Sequence, residues 1–286
     1  MTNKILIPVD FSNNSDNAIA YAIELCKRRK HEIDLFHVFT QHSNRYHNFS
    51  NESDLVDPRV AEAKETMSQL ITRLNLENPD IQFKGLFAEG NLYERIRVQV
   101  STVNYDAIVM GTKGASGLDA LLIGSNMFDV FLNTKVPVLA IPETAKKIKI
   151  EKIGLLCNFK PAEIDVLKQA IKLYGTDFEL VLTHVNSNNQ SVHELDKKFA
   201  EFIQAIIKET SIDNISYVIK SQSFLIQYKE DISTAIDSVI ADEMLDVLLV
   251  TKSKKSFFRK IIDENIVKRM AYQIQIPKFF ARREEI

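Results

Sequence analysis

The sequence predicts an α/β chain of two tandem, doubly wound, mostly parallel five-stranded sheets. Three observations predict it. Short β-branched and Leu-rich runs alternate with stretches whose apolar residues recur at helical spacing. Strand-like runs such as 106–110 are continuously apolar after their first residue, Asp106, as strands covered on both faces are. The whole alternation occurs twice, with its landmarks in the same order.

In the first half, residues 4–10 read as a strand. Residues 15–29 follow as a helix, with Ala18, Ile19, Ala22, Ile23 and Cys26 on one face. Residues 33–39 read as the second strand. Residues 58–75 are helical through Val60, Ala63, Met67, Leu70 and Ile71. A third strand spans 82–88, and Gly90-Asn91 breaks the chain before a helix at 92–102. Strands at 106–110 and 136–141 complete the half. Gln41–Asp57 is a long polar connection, either a disordered loop or a lid. The second half repeats the order, with strands near 152–157, 178–184, 214–220, 246–251 and 275–280. Parallel strands joined by helices need helices on both faces of the sheet.

The repeat is visible residue by residue. Lys4-Ile-Leu-Ile-Pro-Val-Asp10-Phe11 aligns with Lys152-Ile-Gly-Leu-Leu-Cys-Asn158-Phe159. His37-Val38 aligns with His184-Val185, Tyr105-Asp106 with Leu245-Asp246, and Val136-Pro137 with Ile276-Pro277. The polar stretch Glu143–Lys149 is the natural junction. Two domains are therefore expected, 1–145 and 150–286.

Composition narrows the function classes. The 286 residues carry 36 basic and 38 acidic side chains, net −2, without the basic excess of a dedicated nucleic-acid binder. No apolar run reaches the ~18–20 residues of a membrane span, and the start has no signal-peptide pattern. Two cysteines, Cys26 and Cys157, cannot make a disulfide framework or a four-ligand zinc site. Both read as buried small hydrophobes in a reducing cytoplasm.

Ligands of open parallel sheets sit at the carboxyl ends of the strands, near the switch point. In the first half that brings together Pro8-Val9-Asp10, His37-Val38-Phe39 and Met110-Gly111-Thr112. The last segment continues as Gly111-x-x-Gly114, nine residues, then Gly124-Ser125-Asn126 opening a helix toward Phe131. Four of the chain's 8 glycines fall in this stretch. Glycine lets a backbone approach a ligand closely, successive free amides form an anion-binding concavity, and a helix N-terminus favours phosphate. Lys113 could add a point charge or simply be solvated. No Walker loop is present, and no glycine fingerprint follows the first strand.

These residues resemble the universal stress protein family in its tandem form. The spacing G-2x-G-9x-G-[ST] is met at Gly111, Gly114, Gly124 and Ser125, beside the opening ILIPVDFS and the strand ending IVMGTKG. The motif covers the first half; the second resembles the family in order of elements only. The resemblance implies an adenine-nucleotide alpha hydrolase-like (Rossmann-like) fold and an ATP site. Pro8 and Val9 would flank it, Asp10 would face ribose or adenine, and Val38 and Met110 would line the base. Gly111, Gly114, Gly124, Ser125 and Asn126 would hold phosphates, and Mg2+ would bridge phosphate oxygens. In single-domain members the fifth strands pair across a dimer, so here they would pair within the chain as a pseudo-dimer. A further homodimer and an unidentified protein partner are open.

The second half departs from the motif. Thr251, Lys254, Glu264 and Asn265 replace the three glycines and the serine, and Asn158 replaces Asp10. A carboxylate there repels phosphate, so ATP is expected in the first half only. Lys252, Lys254, Lys255, Arg259 and Lys260 read as a solvated basic loop, or as a surface for an acidic partner. Asp10 could also serve as a helix cap. His37 and His184 end equivalent strands, which favours packing over catalysis. No catalytic constellation is legible, so any hydrolysis would be slow. Three readings stand: a nucleotide-dependent regulatory module, a slow ATPase or adenylate-transfer enzyme, and a nucleotide-free structural stress protein.

Overall fold

A computed structural model describes residues 3–39, 58–112, 130–131, 133–143, 148–186, 190–221, 232–252 and 276–283. The Gln41–Asp57 connection and the segment from Lys113 through Asn126 lie outside them. The first half contributes β1 (Lys4–Pro8), α1 (Asn13–Arg28), β2 (Glu32–Phe39), α2 (Pro58–Glu77), β3 (Phe83–Glu89), α3 (Leu92–Thr102), β4 (Ala107–Thr112) and β5 (Val138–Pro142). The second contributes β6 (Lys152–Leu156), α4 (Pro161–Tyr174), β7 (Glu179–Asn186), α5 (Val192–Thr210), β8 (Ile215–Ser221), α6 (Ile232–Asp242), β9 (Val247–Thr251) and β10 (Lys278–Ala281).

All strands lie in one ten-stranded sheet, ordered β3-β2-β1-β4-β5-β10-β9-β6-β7-β8. Every pairing is parallel except β5 with β10, where Lys278 lies opposite Ala140 and Phe280 opposite Val138. The two expected five-stranded sheets are thus continuous through their fifth strands. The order reverses between β1 and β4 in one half and between β6 and β9 in the other.

Alternation along the strands builds two cores. Ile5, Ile7, Val109, Leu139, Leu155, Leu249 and Phe279 face one side with α1 and α4; this core runs across both halves. Leu6, Ile108, Met110, Val138, Leu248 and Phe280 face the other with α3 and α6. Phe279 and Phe280 therefore serve opposite faces of the seam, Phe280 packing edge-on to Phe131 at 4.2 Å between ring centres. On the α1 side, Arg28 crosses the seam and donates to the Ile150 carbonyl at 2.8 Å. Lys278 is buried in β10; burial pushes its ammonium down to about 8, against the pull of Asp237.

Helix ends follow local chemistry. Asn91 caps α3 by accepting from the Glu94 amide. Ser191 and Glu194 form a reciprocal capping box on α5. The helix expected at 15–29 runs over Asn13–Arg28, with Ser12 as its cap residue. Both cysteines are buried free thiols, as their apolar reading implied; burial pushes Cys26 up to about 11. Among the described residues no helix is long and apolar enough to cross a membrane.

Candidate functional site: two crevices at the switch points

The parallel register of β1 beside β4 sets Ile5 opposite Ala107 and Leu6 opposite Ile108. Continued to the carboxyl ends, it brings Pro8-Val9-Asp10 beside Met110-Gly111-Thr112. Pro8 lies opposite Phe36 on β2, which places Val38 at the same end. Six of the sequence-selected residues are therefore gathered at one crevice: Pro8, Val9, Asp10, Val38, Met110 and Gly111. Lys113, Gly114, Gly124, Ser125 and Asn126 lie outside the described residues.

The roles of the gathered residues differ. Val9 extends the ladder, its amide donating to the Phe36 carbonyl at 2.9 Å. Its side chain is buried in the α1-side core. Met110 is buried in the opposite core, and Val38 packs against that same core half-buried. Phe11 then turns the chain with φ 60. Asp10 is exposed at this turn. Its carboxylate accepts from the Ser12 amide at 3.1 Å and from the Ser12 hydroxyl. Partial burial raises its pKa, but these donors outweigh burial and hold it below the ordinary aspartate value. Asp10 orders the turn before α1 rather than capping the helix itself.

Gly111 has a packing reason of its own. A Cβ built there would stand 2.0 Å from the Asn14 carbonyl oxygen. Only glycine admits the first turn of α1 this close to β4. Beside it, the Asn14 side-chain oxygen is buried with no hydrogen-bond partner among the described residues. Thr112, which the sequence did not single out, donates its hydroxyl to the Ile141 carbonyl at 3.1 Å. His37 places Nδ1 2.8 Å from the Val9 carbonyl, with Phe11 and Phe39 each at 4.8 Å between ring centres. His184 repeats this on the Cys157 carbonyl at 2.8 Å. Both histidines are framework groups, as duplicated position implied.

The second crevice is filled from within. Glu163, in the first turn of α4, is buried. Its carboxylate accepts from the Asn158 amide at 2.9 and 3.0 Å and from the Lys160 amide at 3.1 Å. Burial pushes it up to about 7, although the two amides and the Lys160 charge pull the other way. Ser15 occupies the equivalent place in the first half and donates instead to the Ser12 carbonyl at 2.8 Å. Thr251 replaces Gly111, and its hydroxyl is buried without a partner among the described residues. Sequence reading missed Glu163; its signal was alignment with Ser15 through the Asp10–Asn158 match.

The expected solvated basic loop is corrected at Lys252. Lys252 is half-buried at the seam, its ammonium donating to the Phe131 and Thr134 carbonyls at 3.2 and 3.4 Å. Lys254, Lys255, Arg259 and Lys260 lie outside the described residues. The described residues hold no cluster of three or more His, Cys, Asp or Glu suited to a metal ion.

These features define a class: a tandem, doubly wound α/β protein with the exposed Asp10 carboxylate at one switch point and the buried Glu163 carboxylate at the other. Residues 1–142 match the model of the universal stress protein family, and the first half of the chain is a domain of that family. The universal stress protein MJ0577 of Methanocaldococcus jannaschii is 24% identical over 156 residues, covering 49% of this chain and 95% of the relative. The universal stress protein YxiE of Bacillus subtilis is 23% identical over 147 residues, covering 49% and 99%. A solved universal stress protein from Archaeoglobus fulgidus shares the fold across both halves. It has a TM-score of 0.73 and 20% identity, covering 99% of each chain.

Proposed function

We propose that this chain is a cytoplasmic regulatory protein that holds one ATP, in the crevice of its first half, and signals its occupancy to a partner. The carrying observation is the juxtaposition of Asp10 with Gly111 at the β1–β4 switch point, where the Gly111-x-x-Gly114 motif begins. The described rim suits a nucleoside. Asp10 presents an ionised carboxylate, and Asn14 a buried oxygen with no donor among the described residues. Acceptors of this kind take ribose hydroxyls or an exocyclic amine, not phosphate. The phosphate donors would come from Gly114, Gly124, Ser125 and Asn126, with Lys113 adding charge. Mg2+ would be held chiefly by phosphate oxygens. The domains 1–145 and 150–286 would act as a pseudo-dimer about the β5–β10 seam. In the second half Glu163 already occupies the loop amides, and Thr251 replaces the glycine.

Titration calorimetry with ATP, followed by mass spectrometry of the released nucleotide, tests this reading. One unhydrolysed ATP per chain is expected, with none in Gly114→Val or Gly124→Val. Two sites per chain would overturn the one-crevice reading. Steady conversion to ADP would favour the slow ATPase, and no binding the nucleotide-free scaffold.

A further inference from the structure

The seam carries a contact that joins the second half to the first at a particular place. Segment 113–129 returns to the described fold at Val130–Phe131, a helical turn closed by the Thr134 amide donating to the Val130 carbonyl at 3.1 Å. Turns of this kind end with carbonyls that have no partner in the helix. Lys252 supplies the donor from the other half, reaching Phe131 at 3.2 Å and Thr134 at 3.4 Å. Its ammonium also lies 6.0 Å from the centre of the Phe131 ring. The same ring packs on Phe280 of β10. Lys252 is fixed in turn by its own amide, which donates to the Ala281 carbonyl. The equivalent residue of the first half, Thr112, donates to Ile141 of its own half.

We infer that Lys252 is a positioning residue through which the second half fixes the end of the glycine-bearing segment of the first. Its effect on nucleotide rests on the ATP reading above; the clamp itself does not. Charged or neutral, the lysine amine keeps N–H donors for these carbonyls. Around it, Arg282 faces the ammonium from beyond β10, and the Val130–Thr134 turn offers the two carbonyls and the Phe131 ring. Burial first, and Arg282 second, push Lys252 down to about 7. When the clamp opens, the lysine regains an ordinary pKa. The open form therefore binds protons more tightly, and the closed form gains as pH rises above about 7.

Hydrogen exchange of the full chain, corrected for intrinsic chemistry, reads this directly. In the wild type, protection of a peptide spanning Val130–Thr134 should rise with pH from 7 to 9.5, by up to tenfold per unit. In Lys252→Met the slope should vanish, protection at pH 9 should fall below wild type, and ATP should bind about tenfold more weakly. Equal protection and slope in both proteins would overturn the clamp. If Lys252→Met does not fold, a flat wild-type profile overturns it equally. Altered exchange with unchanged ATP affinity would remove the positioning role. If the wild type binds no ATP, the nucleotide reading fails and exchange alone decides the clamp.

Discussion

The two crevices share one repeated pattern, and three of the aligned places at which they differ bear on the loop amides and the helix approach. Asp10 faces Asn158, Ser15 faces Glu163, and Gly111 faces Thr251. Shared features mark the common frame. Phe11 and Phe159 turn with φ 60 and 61, and each half's histidine reaches the carbonyl before its switch-point residue. The differences are coupled. Without a side chain at Gly111, α1 closes on β4 and leaves the loop carboxylate of Asp10 exposed. With a threonine at 251, the first turn of α4 has to accommodate a side chain, and its glutamate takes the loop amides. The Lys160 amide, held by Glu163, aligns with the Ser12 amide, held by Asp10, so each half satisfies this amide with a carboxylate of its own. An anion-like group satisfies the same amides without any bound molecule.

Gly111→Ala should break the comparison most severely. The new methyl meets main chain rather than a mobile side chain, so α1 or β4 must shift. A loss of about 3 kcal/mol is expected, at the upper end of overpacking costs. Urea unfolding measures it; a loss under ~1 kcal/mol would show that α1 does not need the glycine.

Glu163→Ser, copying Ser15, should have the next largest effect, visible in pH dependence. A carboxyl whose pKa is raised from 4.5 to about 7 on folding binds protons more tightly in the native state. Its stabilising contribution is full below about 4.5 and is lost as pH rises through about 7. The wild type should therefore lose about 2–3 kcal/mol more than the serine variant between pH 4.5 and 7.5. Denaturant midpoints across that window check it. Parallel profiles would mean that Glu163 is not held in the buried, amide-bound state.

Much of the frame was legible because parallel strands buried on both faces leave continuous apolar runs, and helices leave spaced ones. β1, α3 and β9 fall within a few residues of their expected places for that reason. The motif likewise pointed to Gly111 beside Asp10, since strand order alone makes those ends neighbours. What stayed hidden depends on approach distance. Nothing in the spacing of glycines says that Gly111 serves α1 before any ligand. Lys252 stands in a run of basic residues that looks solvated, and only the β5–β10 seam carries it to Phe131 and Thr134. Glu163 reads as an ordinary first-turn acid until the loop after β6 folds over it.

Thr251→Val should have the smallest effect, and it isolates the cost of leaving glycine behind. The threonine is 8% exposed, and its hydroxyl is buried without a partner among the described residues. An unsatisfied buried hydroxyl costs about 1–3 kcal/mol in desolvation, whereas an apolar group of the same shape carries no such cost. Valine keeps the β-branch and the strand preference of β9. The substitution should be neutral or stabilising by up to about 1 kcal/mol, read as a small upward shift in the melting temperature. A loss above ~1 kcal/mol would mean that the hydroxyl is bonded in solution. The second crevice would then hold a water or another polar guest beside Glu163, and the two halves would be closer in kind than their packing implies.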